Sequence, residues 1–263
     1  IDLIVVHGDR PESLAAAIVG SFNNILVAHV EGGEVSGTID EMIRHSTSKL
    51  SHYHFVSNSE AKGRLIRLGE NPNSIKIIGN PDLDILLSDK LPSKREVFDH
   101  YAIDFDHYAI IMFHPVTTEF DFKLQSDKFV KAIKKIKENF IVIYPNNDSG
   151  SQYIIDLYEK ELRSMKNIKI FPSLRFEFYL TLLKFSKFIL GNSSSGIHEA
   201  PYFKIPTINV GTRQNSRSSA NTILNVNANV EEILKACNSI DKINFSNNIN
   251  EFGTGDSYLK FKQ

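Results

Sequence analysis

The chain has 263 residues, of which 41% are hydrophobic and 23% are charged, which is enough for one large or two modest globular domains. The formal net charge of -1 argues against a protein that binds nucleic acid through bulk basicity. The single cysteine, Cys237, excludes an intramolecular disulfide and a multi-cysteine zinc site, and no apolar run approaches the roughly 20 residues that span a membrane. We therefore expect a cytoplasmic protein with no nucleic-acid or membrane partner.

Apolar runs of strand length alternate with amphipathic segments of helix length along most of the chain. The predicted strands are Leu3–Val6, Ile25–Val30, Tyr53–Ser57, Ile75–Ile78, Tyr108–Phe113, Phe140–Tyr144, Ile168–Phe171, Phe188–Leu190 and Thr207–Val210. The predicted helices are Pro11–Ser21, Ile39–Leu50, Glu60–Leu68, Lys128–Lys137, Ile154–Met165 and Glu177–Lys184. Near-continuous apolar strands separated by helices indicate parallel sheets that are covered on both faces, so the fold class is α/β.

The number of predicted strands is compatible with one closed barrel or with two open sheets. The stretch from Gly79 to Ser93 interrupts the alternation with prolines, and we interpret it as a hinge between two α/β domains. This interpretation divides the chain into residues 1–84, residues 85–251 and a carboxy-terminal tail, 252–263, without a clear pattern. Because the chain begins at Ile1 inside a buried-strand pattern, we expect a fragment of a longer protein whose first domain is incomplete.

Two loops that follow neighbouring predicted strands carry acidic residues. Ligands of open α/β sheets bind beyond the carboxyl ends of the strands, where both loops lie. Pro11 is well placed as the first residue of a helix, which makes Arg10 the cap and leaves Asp9 for a site role, with a turn aspartate as the alternative. Glu31 precedes two glycines that let the backbone approach a ligand closely, and we favour catalysis over an ordinary loop glutamate.

The segment from Thr38 to Glu41 fits a capping box, in which Thr38 caps a helix and Glu41 reaches back to the amide of the cap. Glu41 then has a structural role, whereas Asp40 has none and lies in the first turn, where the helix dipole favours its anionic form. Such a carboxylate is suited to accept a proton or orient a water molecule. Arg44 and His45 follow on the same helix, and we interpret them as surface or carboxylate-pairing residues.

A second group of polar residues follows later strands. The loop GNSSSG, with Ser193 and Ser194 at its centre, lies between a strand and a helix and predicts an anion site, although a simple serine-rich cap has the same pattern. Glu199 lies one turn further on, within reach of ribose hydroxyls, and Arg213 supplies a guanidinium suited to phosphate. His114 ends a buried strand and suits a proton donor or phosphate contact, with a core histidine as the alternative.

Taken together, these loops resemble the UDP-N-acetylglucosamine 2-epimerase family, and within it the hydrolysing branch that opens sialic acid synthesis. The motifs that carry the resemblance are HGDR at 7–10, HVEGGEVSGTIDEMIRH at 29–45, HPVTTE at 114–119, GNSSSG at 191–196 and GTRQ at 211–214. HPVTTE and GTRQ are similar to the hydrolysing branch and not to the non-hydrolysing one. The resemblance implies a GT-B-like fold, with two Rossmann-like domains whose parallel sheets face each other across a cleft and with the first domain incomplete in this chain.

The resemblance also implies a reaction and its residues. UDP-N-acetylglucosamine loses the proton on C2 and then UDP, and water adds to the resulting 2-acetamidoglucal to give N-acetylmannosamine. The catalytic residues that it implies are Asp9, Glu31, Asp40 and His114. The residues that it implies for binding substrate and UDP are Arg10, His114, Asn146, Ser193, Ser194, Glu199 and Arg213. It implies no metal or other cofactor, and the expected partners are the nucleotide sugar, UDP and further copies of the chain in a dimer or tetramer.

Three alternatives stay open on the sequence. The first is a hydrolysing epimerase that acts on UDP-N,N'-diacetylbacillosamine for legionaminic acid synthesis, since part of the sugar-facing surface is expected upstream of this chain. The second is a glycosyltransferase of the same fold, which would release UDP only when an acceptor is present. The third is a nucleotide-sugar binding module without catalysis.

Overall fold

The computed structural model describes residues 1–36, 38–116, 119–214, 217–218, 220–242 and 251–263. The chain forms two compact units: the first contains residues 1–89 and the carboxy-terminal segment 250–263, and the second contains residues 90–249. In the described part of the chain, no helix is both long enough and apolar enough to cross a bilayer.

The described residues form ten strands. In chain order they are β1 (Leu3–His7), β2 (Leu26–Val30), β3 (Tyr53–Val56), β4 (Ile75–Ile77), β5 (Ala109–Met112), β6 (Phe140–Ile143), β7 (Ile168–Phe171), β8 (Ile189–Gly191), β9 (Thr207–Val210) and β10 (Ile223–Val226). All nine predicted strands are confirmed, and their ends differ from the prediction by no more than one residue. The strand β10 was not predicted; it lies at the edge of the sheet and is only partly buried, unlike β9.

The α-helices of the described residues cover one or both faces of the sheets. In chain order they are α1 (Pro11–Phe22), α2 (Ile39–Lys49), α3 (Ser59–Arg67), α4 (Asp82–Leu86), α5 (Lys94–His100), α6 (Phe122–Ile133), α7 (Ser151–Glu161), α8 (Phe176–Lys184), α9 (Ser195–His198), α10 (Val230–Ser239) and α11 (Ser257–Phe261). The helix predicted at 128–137 was placed too late, since α6 begins at Phe122 and its buried face includes Phe129 and Ile133. The prediction contained no helix at α4, α5, α10 or α11.

Each unit contains one parallel sheet, so the prediction of an α/β fold with two parallel sheets is confirmed. The strand order is β1-β2-β3-β4 in the first unit and β10-β9-β8-β5-β6-β7 in the second, and every pair of neighbours is parallel. The second order is that of a doubly wound sheet, in which the chain reverses its direction of travel between β5 and β8. Its core includes the stacked rings of Phe113 and Phe129, whose centroids are 4.2 Å apart.

The carboxy-terminal segment differs from the predicted separate tail because it packs on the first unit. The ring of Phe261 lies 4.4 Å from that of Phe55, measured between centroids. The carboxylate of Asp84 accepts hydrogen bonds from the backbone N–H groups of Ser257, at 3.0 Å, and Tyr258, at 2.8 Å. Helix α4, which contains Asp84, also continues across the predicted boundary at residue 84, and the first unit therefore extends to Asp89.

Candidate active site

Polar residues follow the carboxyl ends of the parallel strands in both units. In the second unit, His114 follows β5 and Asn192 follows β8, so both lie at the position where the strand order reverses and where doubly wound sheets bind their ligands. In the first unit, Asp9 follows β1 and Glu31 follows β2. Each unit therefore carries its own candidate group of residues at the carboxyl ends of its strands.

Asp9 is held at the end of β1 by a glycine turn and a buried arginine. Gly8 adopts a left-handed φ of +74°, and its N–H donates to the carbonyl of Val30 at 3.0 Å. The Asp9 carboxylate pairs with the guanidinium of Arg44, whose side chain is 5% exposed. Arg44 is thus a carboxylate-pairing residue and not a surface residue. Arg10 caps α1 through its backbone, as predicted, and its side chain makes no capping hydrogen bond.

Glu31 combines an unusual backbone conformation with a contact to His7. Its φ is +66°, in the left-handed region that costs a residue other than glycine about 1–2 kcal/mol. Its N–H donates to the carbonyl of Phe55 at 2.8 Å, which holds this conformation, and its Oε2 lies 3.0 Å from Nε2 of His7. The hydrogen bond from Glu31 raises the pKa of His7 above its ordinary 6.5 against the opposing effect of burial. The contact therefore favours the protonated imidazole beside the Glu31 carboxylate.

The two glycines after Glu31 let the loop pack tightly against neighbouring helices. Gly33 has a φ of +78°, and a Cβ at this position would lie 2.4 Å from the carbonyl oxygen of Ala61 in α3. A Cβ on Gly32 would lie 2.9 Å from Oγ of Ser48 in α2. Packing alone therefore requires glycine at residue 33, and a larger residue at 32 would displace the side chains of Ser48 and His29.

Asp82 belongs to the same group, although no motif marks it in the sequence. Its carboxyl is close enough to Glu31 and His7 for each to shift its ionisation: burial, followed by repulsion from Glu31, raises the pKa of Asp82 to about 6, while His7 lowers it. The N–H of Asp82 donates to Oδ1 of Asn80 at 2.8 Å, which fixes the start of α4. Near neutral pH, Asp82 is thus a carboxyl that can both hold and release a proton.

The contacts of Asp40 correct part of the capping prediction. Thr38 caps α2 as predicted, since its hydroxyl oxygen accepts from the N–H of Asp40 at 3.3 Å. Glu41, however, accepts from the N–H of Ser36 at 2.7 Å and not from that of Thr38, because the amide of Ser36 is the one that faces its carboxylate. The prediction that Asp40 has no structural contact is also wrong. Its Oδ2 accepts from the Thr38 hydroxyl at 2.9 Å, and Asp40 is 7% exposed.

In the second unit, the side chain of Asn192 joins the ends of β5 and β8. Its Oδ1 accepts from the backbone N–H of His114 at 2.7 Å, and its Nδ2 donates to the backbone carbonyl of His114 at 2.9 Å. The preceding Gly191 has a φ of +145°, and a Cβ there would lie 1.9 Å from the carbonyl oxygen of Met112. The two strand ends can approach this closely only because residue 191 is glycine.

The imidazole of His114 is oriented by Asn146, one of the predicted binding residues. The backbone N–H of Asn146 donates to Nδ1 of His114 at 3.2 Å, and Oδ1 of Asn146 lies 3.1 Å from the same nitrogen. The backbone N–H of Asn146 can only donate to Nδ1 and its amide oxygen can only accept from it, so these contacts fix the orientation of the ring and not its tautomer. The buried position of His114 is explained by these contacts at the strand end, without assigning the residue to the core.

The serine-rich loop forms the start of the short helix α9. Ser194 is the residue before the helix, and the hydroxyl of Ser193 accepts from the N–H of Ser195 at 3.2 Å. Glu199 follows the last residue of α9 and is buried. The hydroxyl of Ser195 hydrogen bonds to that of the buried Tyr179, whose pKa rises well above its ordinary value, first through burial and then through the charge of Glu199.

Arg213 lies beside this loop, as its place after β9 predicts. Its Nη1 donates to the carbonyl of Asn192 at 3.3 Å, and its Nη2 lies 3.9 Å from Oδ2 of Asp148. Nε2 of Gln214 donates to the same carbonyl at 2.8 Å. Thr212 donates to Glu119, which links the loop after β9 to the loop after β5. Of the HPVTTE motif, residues 117 and 118 lie outside the described residues.

The two groups differ in the chemistry that they offer. The first unit supplies carboxylates and an imidazole, which are able to take up and release protons. The second supplies an imidazole, hydroxyls and a guanidinium, groups that can donate to anionic oxygen. Among the residues that the structure describes, no three His, Cys, Asp or Glu side chains are placed to share a metal ion.

Comparison with known proteins gives a consistent result. The sequence profile of the family described as UDP-N-acetylglucosamine 2-epimerase matches residues 1–263. The chain is 47% identical to a UDP-N-acetylglucosamine 2-epimerase from Neisseria meningitidis serogroup B over 238 residues, which cover 89% of this chain and 62% of that protein. It is 39% identical to a hydrolysing UDP-N,N'-diacetylbacillosamine 2-epimerase from Legionella pneumophila, covering 94% of this chain and 66% of that protein. The chain thus spans somewhat less than two thirds of these relatives.

A solved structure is similar over almost the whole chain. The UDP-GlcNAc 2-epimerase of Methanocaldococcus jannaschii, in complex with UDP-GlcNAc and UDP, has a TM-score of 0.84 and 27% sequence identity. The similarity covers 99% of this chain and 74% of that one. The prediction of a GT-B-like architecture of two Rossmann-like units is therefore confirmed.

Proposed function

This chain belongs to the UDP-N-acetylglucosamine 2-epimerase family, and we propose that the protein that contains it is the hydrolysing enzyme. It converts UDP-N-acetylglucosamine and water into N-acetylmannosamine and UDP, the first step towards sialic acid. A base removes the proton on C2, and the C1–O bond breaks with its electron pair leaving on UDP. Water then adds its hydroxyl to C1 and a proton to C2 of the resulting 2-acetamidoglucal.

The observation that carries the proposal is the arrangement of carboxylates in the first unit. Asp9 is paired with a buried arginine, Glu31 contacts an imidazole, and Asp40 lies in the first turn of α2. A reaction that removes one proton from carbon and returns another needs groups of this kind, held in different environments. The motifs HPVTTE and GTRQ, which resemble those of the hydrolysing branch, support hydrolysis over simple epimerisation.

The second unit is proposed to hold UDP. His114 and Arg213 donate to the diphosphate, with Ser193, Ser194 and Asn146 beside them, and Glu199 accepts from the ribose hydroxyls. Charge placed around the diphosphate stabilises UDP as it departs, which matters because the C2 proton is weakly acidic. In the first unit, Arg10 at the start of α1 is proposed to bind the substrate. The proposal needs no metal or other cofactor.

Conservative substitution of the carboxylates tests the proposal in the full-length protein. We expect Asp9→Asn, Glu31→Gln and Asp40→Asn each to lower the rate of UDP release by about 100-fold to 10,000-fold, because each removes one proton-transfer group. Binding of UDP, measured by calorimetry, should stay within about twofold of the wild type. Asp106→Asn, an exposed aspartate of the second unit, serves as the matched control. Unchanged release of UDP in all three variants would remove the catalytic assignment.

The Legionella relative favours one alternative substrate, UDP-N,N'-diacetylbacillosamine. The two sugars can be compared directly by measuring kcat/KM for each with the full-length enzyme. We expect the higher value for UDP-N-acetylglucosamine. A higher kcat/KM for UDP-N,N'-diacetylbacillosamine would support the proposed hydrolysis but would make this nucleotide sugar the substrate. UDP release that depends on an added acceptor would instead indicate a glycosyltransferase.

The cell compartment and assembly are part of the same proposal. We place the enzyme in the cytoplasm as a homodimer or homotetramer, as the family resemblance implies. Cell fractionation and analytical ultracentrifugation of the full-length protein check these two statements independently of activity.

A further inference from the structure

The buried imidazole of His29 connects three segments of the first unit. Its Nε2 lies 2.8 Å from the carbonyl oxygen of Gly8, the residue before Asp9. Its Nδ1 lies 2.9 Å from Oγ of Ser48 in α2. His29 itself belongs to β2, two residues before Glu31, and its side chain is excluded from solvent. One ring thus contacts the loop after β1, the strand β2 and helix α2.

The two contacts determine which nitrogen carries the proton. A backbone carbonyl can only accept, so Nε2 of His29 must donate to Gly8, and Nδ1 of the neutral ring then accepts from the hydroxyl of Ser48. Burial is the main cause that lowers the pKa of His29 to about 4, so the ring remains neutral around pH 7. The hydrogen bonds therefore run in one direction, from the hydroxyl of Ser48 through the imidazole to the carbonyl of Gly8.

The surrounding residues keep this ring in place. A Cβ on Gly32 would lie 3.0 Å from Nδ1 of His29 and 2.9 Å from Oγ of Ser48, so the loop after β2 closes directly over this hydrogen bond. Ser48 is as completely buried as His29. Rotation of the imidazole would leave the carbonyl of Gly8 and the hydroxyl of Ser48 without these partners in a site that excludes water, which is energetically costly.

Helix α2 thus contacts the loop that bears Asp9 at two points. One turn before Ser48, the guanidinium of Arg44 pairs with the Asp9 carboxylate itself. The second contact runs from Ser48 through His29 to the carbonyl of the neighbouring residue, Gly8. The ion pair holds the side chain of Asp9, and the second contact holds the peptide that precedes it. The ring of His29 acts together with the N–H of Gly8, which donates to Val30 at 3.0 Å, in holding this loop beside β2.

We propose that His29, together with Ser48, is a positioning residue that orients the Asp9 carboxylate for proton transfer. The inference rests on the proposed function. His29 does not touch the reacting atoms, and its effect passes through the Gly8 carbonyl. Displacement of a reacting group by about 1 Å can cost about 100-fold in rate, so a residue of this kind influences turnover strongly without binding substrate.

Kinetic variants of the full-length enzyme separate positioning from a purely structural role. We expect His29→Leu to lower kcat about 100-fold while KM and UDP affinity stay within about twofold. His29→Gln, whose amide can donate to the Gly8 carbonyl, should recover about tenfold of this loss. Ser48→Ala should lower kcat about fivefold, the value of one neutral hydrogen bond. Ser46→Ala, on the exposed side of α2, is the matched control and should retain the kcat of the wild type.

The rates are divided by the concentration of protein whose first unit is folded, measured by the protection of β2 from hydrogen exchange, so a loss of folded protein does not count as a loss of turnover. A purely structural role would lower the folded fraction of the first unit and leave kcat per folded molecule unchanged in all three variants, and this result would overturn the proposal. Equal kcat for His29→Gln and His29→Leu would also contradict it, because the proposed N–H donor would then have no effect.

Nitrogen-15 NMR of the imidazole tests the geometry without reference to activity. We expect the His29 ring to be neutral at pH 7 with its proton on Nε2, and Ser48→Ala to shift the Nδ1 resonance. A proton on Nδ1, or a charged ring at pH 7, would overturn the proposal. If the wild type does not release UDP from UDP-N-acetylglucosamine, the proposed function fails, and the variants are assayed on the nucleotide sugar that it does turn over. The NMR result stands in either case.

Discussion

The neutral, buried ring of His29 should make the stability of the first unit fall at acidic pH. Burial lowers the pKa of His29 from 6.5 to about 4, whereas the unfolded chain keeps the ordinary value. Between these two pH values the unfolded state binds more protons, so the free energy of unfolding decreases as the pH falls. The full shift of about 2.5 units corresponds to about 3 kcal/mol, of which about 2 kcal/mol is lost between pH 8 and pH 5.

Hydrogen exchange followed by mass spectrometry measures this loss in the unit concerned. Peptides that cover β2 report the free energy of opening at each pH, after correction for the intrinsic exchange rate. The wild type is compared with His29→Gln. Other groups titrate in both proteins, so their contributions to the pH dependence cancel in the difference. We expect the wild type to lose about 2 kcal/mol more than the variant between pH 8 and pH 5.

His107→Gln, an exposed histidine of the second unit, is the matched control and should follow the wild type. Equal losses in the wild type and His29→Gln would contradict the lowered pKa of His29, since they would mean that His29 accepts a proton as readily in the folded state as in the unfolded state.

Three further predictions concern other positions. Asp82→Asn should lower the pKa of His7, because the charge of Asp82 raises it, and proton NMR of the His7 ring measures the change. Asn192→Ala removes two buried hydrogen bonds and should cost the second unit about 2 kcal/mol in urea unfolding, whereas a loss near zero would contradict the strand-end contact. Gly191→Ala should destabilise the second unit by about 3 kcal/mol or more in the same experiment, since its Cβ would overlap a backbone carbonyl. Gly63→Ala, whose Cβ would meet no atom closer than 3.5 Å, is the comparison and should stabilise the first unit by roughly 0.5–1 kcal/mol.

The parallel sheets were predictable because buried strands leave a clear trace in the sequence. Runs such as Ala109–Met112 and Phe140–Ile143 are continuously apolar, and their predicted ends agree with the structure to within one residue. The strand β10 is only partly buried, so it lacks this pattern. The short helix α4 lies in a proline-containing stretch that reads equally well as a hinge. Its place in the first unit depends on tertiary contacts with the carboxy-terminal segment, which no local pattern records.

The candidate site was predictable as a set of loops and less so as a set of contacts. The position of Asp9 at the end of β1 follows from the strand pattern and from the helix start at Pro11. The residues that these side chains contact could not be predicted from the local sequence. Arg44 reaches Asp9 across 35 positions of the chain, and Asn192 contacts His114 across 78. Asp82 has no motif around it, and only the fold brings it close to Glu31.

The proposed enzyme breaks the bond between the sugar and UDP and adds water to the sugar. The most direct measurement is the reaction of the full-length enzyme with UDP-N-acetylglucosamine in deuterium oxide enriched in oxygen-18. We predict N-acetylmannosamine that carries deuterium on C2, together with UDP that contains no oxygen-18, because the C1–O bond is the one that breaks. Formation of UDP-N-acetylmannosamine without release of UDP, or oxygen-18 in the UDP, would contradict the account.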